Sequence, residues 1–440
     1  MRTISMNLKS ATANMTFGPS RADSSLVESE KSSFFWSKLS SYQKKLLLFL
    51  SVATFFEGYD LLALTQILPE IRTHFGLTPA YGGIMVGVIN VGTILSYLLV
   101  RKADIWGRKK VMMLTILGYT LFSFLSGIST TVYMFAGFQL MARIFLIAEW
   151  AISNIYAAEE FPAEMRGTIL GIIQGFSCLG AIACAAVVPL LLETGYGWRT
   201  IYFVGTLPLI ILAFSRRNLK ETARFTKARA ERATLSTSMT AIFKTDYVKR
   251  LVLVSSIWAL TYTCTQNAIT FWKEFATAER GLTNGQIGIS VGVAAILSMP
   301  LVFFVGKVID SLGRKKGALL IYGVGLTGIY GAYTLNSWWA LTASLVFAIF
   351  GASSVIPVLN AFTTELFPTH LRADAFAWTN NIFGRVGYVL APVFIGSFAG
   401  TLGWGFTSKL TIIFPVIALI IILKYLPETS GVELEKSSSI

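Results

Sequence analysis

Apolar residues along this chain gather into long, nearly unbroken runs, with the polar residues collected in short stretches between them. The runs lie near residues 46–68, 80–100, 111–131, 133–156, 167–192 and 199–215, and again near 250–274, 285–305, 317–335, 338–360, 373–399 and 405–426. A helix rising 1.5 Å per residue crosses a hydrocarbon layer of roughly 30 Å in about 20 residues. Each run is long enough for one crossing, and a helix satisfies its own backbone polar groups where no water can. The pattern predicts an all-α membrane protein with twelve transmembrane helices. A polar, basic stretch at 216–249 divides them into two six-helix bundles, 46–215 and 250–426, with tails at 1–45 and 427–440. The first tail is Ser-rich, lacks the early apolar core of a signal peptide, and reads as partly disordered.

Composition agrees with this reading: 54% of the 440 residues are hydrophobic and 14% are charged, against roughly 25% charged in soluble domains. The net charge of +14 would suggest a nucleic-acid partner in a soluble chain. Here the Lys and Arg residues follow topology instead. Most of the 37 fall in the N-terminal tail, at Arg101–Lys110, at Arg166, in the 216–250 stretch, at Lys307–Lys316, at Arg372 and near the C-terminus. Only Arg72, Arg199, Lys273, Arg280 and Lys409 fall in the alternate loops. The bias puts both termini in the cytoplasm of a cell whose inner membrane holds the chain. Cys178, Cys184 and Cys264 sit inside apolar runs, so no disulfide framework is implied. His74 and His370 are the only histidines, and no nucleophile–base or metal-ligand spacing occurs. An enzyme, a cofactor and a metal are therefore not expected.

The two halves repeat each other. Asp104-Ile105-Trp106-Gly107-Arg108-Lys109-Lys110 matches Asp310-Ser311-Leu312-Gly313-Arg314-Lys315-Lys316, 206 residues later. Glu159, Phe161, Pro162 and Arg166 match Glu365, Phe367, Pro368 and Arg372 at the same offset, and Lys220-Glu221-Thr222 aligns with Pro427-Glu428-Thr429 at 207. Matches at one register predict a parallel duplication related by an axis along the membrane normal.

On these residues the chain resembles the major facilitator superfamily over about 40–435. The two Asp-x-x-Gly-Arg-Lys-Lys loops carry the resemblance, with Glu-x-Phe-Pro-x-x-x-Arg and Pro427-Glu428-Thr429-Ser430-Gly431 beside them. Gly58-Tyr59-Asp60, Glu149-Trp150 and Gly384-Arg385-x-Gly387 look most like the aromatic-acid and metabolite proton symporters. The family pattern has Gly four residues before the loop Asp; Gly306 keeps it and Val100 departs from it. The fifth run has Gly171, Gly175 and Gly180 but lacks the Gly-Pro pair of many drug antiporters. The resemblance implies a gate formed by Asp104, Gly107, Arg108, Asp310, Gly313 and Arg314. In it, each Asp meets the N-terminus of a neighbouring helix and pairs with Arg108 or Arg314, and such contacts latch the two halves in the outward-facing state; a solvated basic loop obeying the positive-inside rule is the alternative.

Ionisable residues inside a span are costly and face a cavity or a partner. Glu57 and Asp60 are three apart and share a helix face. With Arg143 and Glu149 they form the candidate proton-coupling group, Arg143 being the natural partner of either Asp60 or Glu149; a permanent ion pair is the alternative. Asp60 corresponds to Gln266 in the second half, so coupling would sit in the first half alone. Arg385 has no acid nearby in its span, Asp374 near the cytoplasmic end being the closest, and its planar fork suits a carboxylate of the solute, with packing against an acid across the bundle as the alternative. Asn381 and Trp378 lie at helical spacing from it, and Trp258, Tyr262 and Gln266 follow one another every four residues, with Asn267, Asn360, Asn154 and Tyr388 as further candidates. Packing is the alternative for each aromatic.

The leading function is alternating-access symport of a proton with a small organic acid, a class that an aromatic carboxylate fits. A sugar or neutral-metabolite porter and a signalling transceptor remain open alternatives. The expected partners are the solute, the proton and the lipid bilayer, with the chain a monomer.

Overall fold

The structure is a computed structural model that describes residues 39–217, 219–222, 226 and 241–430. Residues 1–38 and 431–440 of the expected tails and the middle of the linker lie outside the described residues, as do the side chains of Asp104 and Arg166, while the end of the first expected tail is helical from Ser41. By compactness the chain divides after Leu46.

Every regular element among the described residues is helical. The first half comprises α1 (Ser41–His74), α2 (Pro79–Trp106), α3 (Arg108–Gly127), α4 (Val132–Glu160), α5 (Ala163–Leu192) and α6 (Arg199–Arg216). The second half covers the same six passes in more pieces. These are α7 (Val248–Thr265) and α8 (Trp272–Ala278); α9 (Asn284–Phe303) and α10 (Val305–Ser311); α11 (Arg314–Ala332); and α12 (Trp338–Glu365). Then come α13 (Thr369–Phe376), a π-helical stretch (Ala377–Gly384) and α14 (Arg385–Leu402), and finally α15 (Trp404–Leu410) with α16 (Ile413–Tyr425). A 3₁₀ turn, Ala241–Lys244, precedes α7. Ten helical stretches are long and apolar enough to cross a membrane. The pass at α7–α8 and the pass at α11 complete the twelve.

Local chemistry sets the helix starts. Thr78, Thr131 and Thr283 accept a bond from a first-turn backbone N–H at one end of the molecule, the ordinary N-cap solution to unpaired donors. At the other end, called here the basic end, the chain reverses at Gly107 (φ 101°) and Gly313 (φ 89°). An L side chain is strained there, so the Gly of each repeated loop follows from the turn itself.

Small residues set the packing, as they do where lipid removes the hydrophobic drive between helices. A Cβ on Gly58 would lie 1.9 Å from the Ser177 carbonyl, and one on Gly180 1.8 Å from that of Phe55, so α1 and α5 touch along their backbones. The corresponding pair in the second half is α7 with α14, where Gly387 faces the Ala259 carbonyl at 1.9 Å and Gly384 faces Trp258.

Two seams join the halves. Along α2 and α14, Gly83 meets the Pro392 carbonyl and Gly396. Along α5 and α9, Gly288 meets the Ala185 carbonyl at 2.6 Å, near the end away from the basic loops. Further along, Gly175 has only Met299 at 3.8 Å, and Gly171 and Gly306 have nothing within 4 Å. The α5–α9/α10 seam therefore opens toward the basic end. Gly306, which fits the family loop pattern, takes part in no close helix packing in this state.

Candidate functional site

In the first half, the helix face carrying Glu57 and Asp60 is buried, the two residues being 7% and 5% exposed. Ser177 donates to Glu57 at 3.2 Å across the α1–α5 contact that Gly58 and Gly180 permit. Arg143 on α4 is 3% exposed and lies within electrostatic reach of both acids, and the Tyr119 hydroxyl lies against Asp60. One Arg143 Nη1 and the Tyr202 hydroxyl are buried without a hydrogen-bond partner. The group thus holds two acids, one cation and two unused donors in a closed space.

Glu149 is elsewhere. Its carboxylate pairs with Arg216 of α6 and accepts from Thr115 at 2.5 Å and Ser153 at 3.2 Å. Arg216 is fully buried and also donates to the Phe49 carbonyl at 2.6 Å. The sequence expectation that Arg143 could serve Glu149 is replaced by this pair. Arg216 looked like a linker cation because it ends its run, yet its α-helix continues through it.

In the second half, Tyr262 donates to Asn380 at 2.8 Å, and both Arg385 and Tyr388 lie within electrostatic reach of its ring. Arg385 Nε is buried without a partner. Trp258, fully buried, donates to Thr363 at 2.9 Å. Gln266 donates to the Ala352 carbonyl at 3.2 Å, and Asn267 donates to that of Tyr262 at 3.4 Å. The side-chain oxygens of Asn267 and Asn360 are unpartnered. Asn154 stays with its own helix, donating to Trp150 O at 2.8 Å.

Trp378 and Asn381 fall differently from the α-helical expectation, because residues 377–384 are π-helical. Trp378 stacks on Phe383, five residues on, at 5.3 Å, and meets Phe243 of the 3₁₀ turn edge-on at 4.8 Å. Residues five apart would point well away from each other on an α-helix, so the shared face predicted for Trp378, Asn381 and Arg385 does not form as spaced. Asn381 is half-buried on this segment.

The basic end holds two copies of one charge cluster. Arg108 reaches Glu159 at 3.2 Å, Thr222 donates to Glu159 at 2.5 Å, and Glu221 accepts the backbone N–H groups of Arg108 and Lys109. Arg314 reaches Glu365 at 2.9 Å and Asp310 at 2.5 Å, Thr429 donates to Glu365, and Glu428 accepts the N–H groups of Arg314 and Lys315. The acids at the N-termini of α3 and α11 are therefore Glu221 and Glu428. Asp310 does pair with Arg314. Each described bond in these clusters stays inside one half. Partial burial raises the Glu428 carboxyl, but the backbone donors of Lys315, Arg314, Ser430 and Thr429 outweigh it and hold the group below its ordinary value.

Comparison with known proteins decides the family. The model of the Major Facilitator Superfamily matches residues 50–380 and 259–439. The chain belongs to the Major Facilitator Superfamily. It is a multi-pass membrane transporter and not an enzyme. It is 26% identical over 414 residues to the "Probable 4-methylmuconolactone transporter" of Cupriavidus pinatubonensis, covering 91% of this chain and 95% of that one. It is 26% identical to the cis,cis-muconate transport protein of Acinetobacter baylyi, covering 84% and 92%. Among solved structures, a D-xylose-proton symporter superposes with a TM-score of 0.72 at 18% identity, covering 89% of this chain and 99% of that one. That likeness shows the shared twelve-helix fold.

Proposed function

We propose that this transporter takes up a small organic acid together with a proton by alternating access, with both termini in the cytoplasm. The observation that carries the reading is the division of charge between the halves. Two buried acids and Arg143 occupy the first half, and Arg385, with an unpartnered Nε, occupies the second. A carboxylate on Arg385 would meet a bidentate cation beside the Tyr262–Asn380 pair. Asp60 and Glu57 would carry the proton, gaining it where the pocket is wet and losing it as its surroundings change. Relatives named for muconate and 4-methylmuconolactone transport support the acid class. The positive-inside distribution of Lys and Arg supports the orientation.

Purified protein in liposomes, offered a panel of radiolabelled aromatic acids, dicarboxylates and sugars with and without an inward pH gradient, tests this. Accumulation of an acid that depends on the gradient is expected. Gradient-independent equilibration, or preference for a neutral sugar over every acid, would remove the reading.

A further inference from the structure

The charges at the end away from the basic loops behave differently from those in the basic clusters. There, ion pairs join one half to the other. Lys273 of α8 donates to Glu70 of α1 at 2.7 Å and to the Gln66 carbonyl at 2.5 Å. Arg72 of α1 grips Glu274 of α8 with Nε at 2.8 Å and Nη2 at 3.2 Å, a two-pronged contact. Its Nη1 is held by the Leu77 carbonyl at 3.0 Å, and its guanidinium lies 5.6 Å from the ring of Trp404, which stacks on Phe271. Lys273 and Glu274 are each 2% exposed. The pairing is crossed: the acid–base order on α1 is reversed on α8.

Sequence spacing makes these bonds specific to one state. Glu70 and Arg72 are two apart, and Lys273 and Glu274 are adjacent. Residues at those spacings do not face each other on a helix. Neither half can pair its own two charges, so the ion pairs exist only while the halves touch. Lys273 also clasps the main chain of the helix that bears Asp60, at Gln66, less than two turns from it.

We infer that Glu70, Arg72, Lys273 and Glu274 form a crossed ionic lock. It holds the end opposite the basic loops shut while the basic end is open, and it must break for the opposite end to open. This goes beyond the proposed proton and acid chemistry and rests only on two-ended access. The four residues are positioning residues for the transport cycle and need not touch the cargo.

A cysteine at Gln66 reports the lock, because only the main-chain oxygen of Gln66 serves it and the residue is 2% exposed although the α5–α9/α10 seam is open toward the basic end. The test uses full-length protein in lipid nanodiscs, with Cys178, Cys184 and Cys264 replaced by alanine, and measures the rate at which a water-soluble maleimide labels Gln66→Cys. Glu70→Lys and Lys273→Glu each bring like charges together. Each should raise the rate about tenfold or more, since losing one partner of a buried pair shifts a two-state balance by at least that much. The double reversal Glu70→Lys/Lys273→Glu should return it to near the parent value, which mere damage to the fold would not. Unchanged labelling in the single variants, or fast labelling that persists in the double reversal, overturns the lock. If a reversal fails to insert, Glu70→Gln and Lys273→Met replace it, and a rate equal to the parent in both overturns the lock equally. Labelling needs neither proton nor cargo, so its failure is distinct from failure of the uptake reading.

Discussion

Asp60 lies buried within electrostatic reach of Arg143 and Glu57, with the Tyr119 hydroxyl against it. Asn at this position keeps the shape and removes the titration. Asp60→Asn should therefore abolish accumulation driven by a pH gradient while leaving solute exchange largely intact, and counterflow measured beside driven uptake checks it. Continued concentration of solute by the variant would take Asp60 out of the coupling role. Arg385 carries the complementary expectation. Arg385→Lys keeps one positive charge and loses the fork, so acid binding should weaken by about 10- to 100-fold, or roughly 1.4–2.8 kcal/mol at 1.4 kcal/mol per tenfold. Insertion and folding should be unchanged. Wild-type affinity in that variant would place the carboxylate elsewhere. The ionisable residues inside the spans could be picked out from sequence because charge in lipid is rare. Their partners could not. Glu149 finds Arg216 and not Arg143 because a helix continues past its apolar run, and nothing in residue order marks where that ends.

At the scale of elements, the glycines explain which helices share backbones. Gly387 lies against the Ala259 carbonyl, so Gly387→Leu has no room. Overpacking of this kind costs typically about 1–3 kcal/mol. The variant should melt lower in detergent and lose uptake, whereas Gly137→Ala, where an added Cβ meets nothing within 4 Å, should resemble the parent in both. Helix N-termini at the basic end carry a second expectation. Glu428 caps the start of α11 and its carboxyl lies below its ordinary value, so the proton binds the folded state less readily than the unfolded one. Its contribution is complete above the unfolded pKa, about 4.3, and fades as pH falls through the lower folded value. Glu428→Gln should lower thermal stability at neutral pH and narrow the difference from the parent in acid; an equal loss at all pH values would contradict the cap. The spacing of Trp378, Asn381 and Arg385 was legible as a pattern but not as geometry, since it presumed an α-helix where the chain forms a π-helix. The Glu-Thr pairs at 221–222 and 428–429 were visible as repeats, while their service as caps depended on the chain returning to the loop.

The whole molecule was the most legible level. Twelve runs, one basic stretch and a repeat at 206 residues were enough for the architecture, because lipid admits few alternatives to a helix and duplication copies loops along with spans. What the order of residues concealed was state. Gly171 and Gly306 facing open space, with Lys273 and Arg72 tied across the other end, could be read only once the halves were set side by side. The first charge cluster is completed by Glu221 and Thr222, directly after α6, and the second by Glu428 and Thr429, directly after α16. Each half thus brings its own last residues to its own loop, and a ribosome that has released residue 222 has released every group the first cluster needs. The halves should then mature in sequence and not depend on one continuous peptide. Two genes, one ending and the other beginning within 227–240, should yield fragments that find each other in the membrane, co-purify, and restore the uptake of the intact chain.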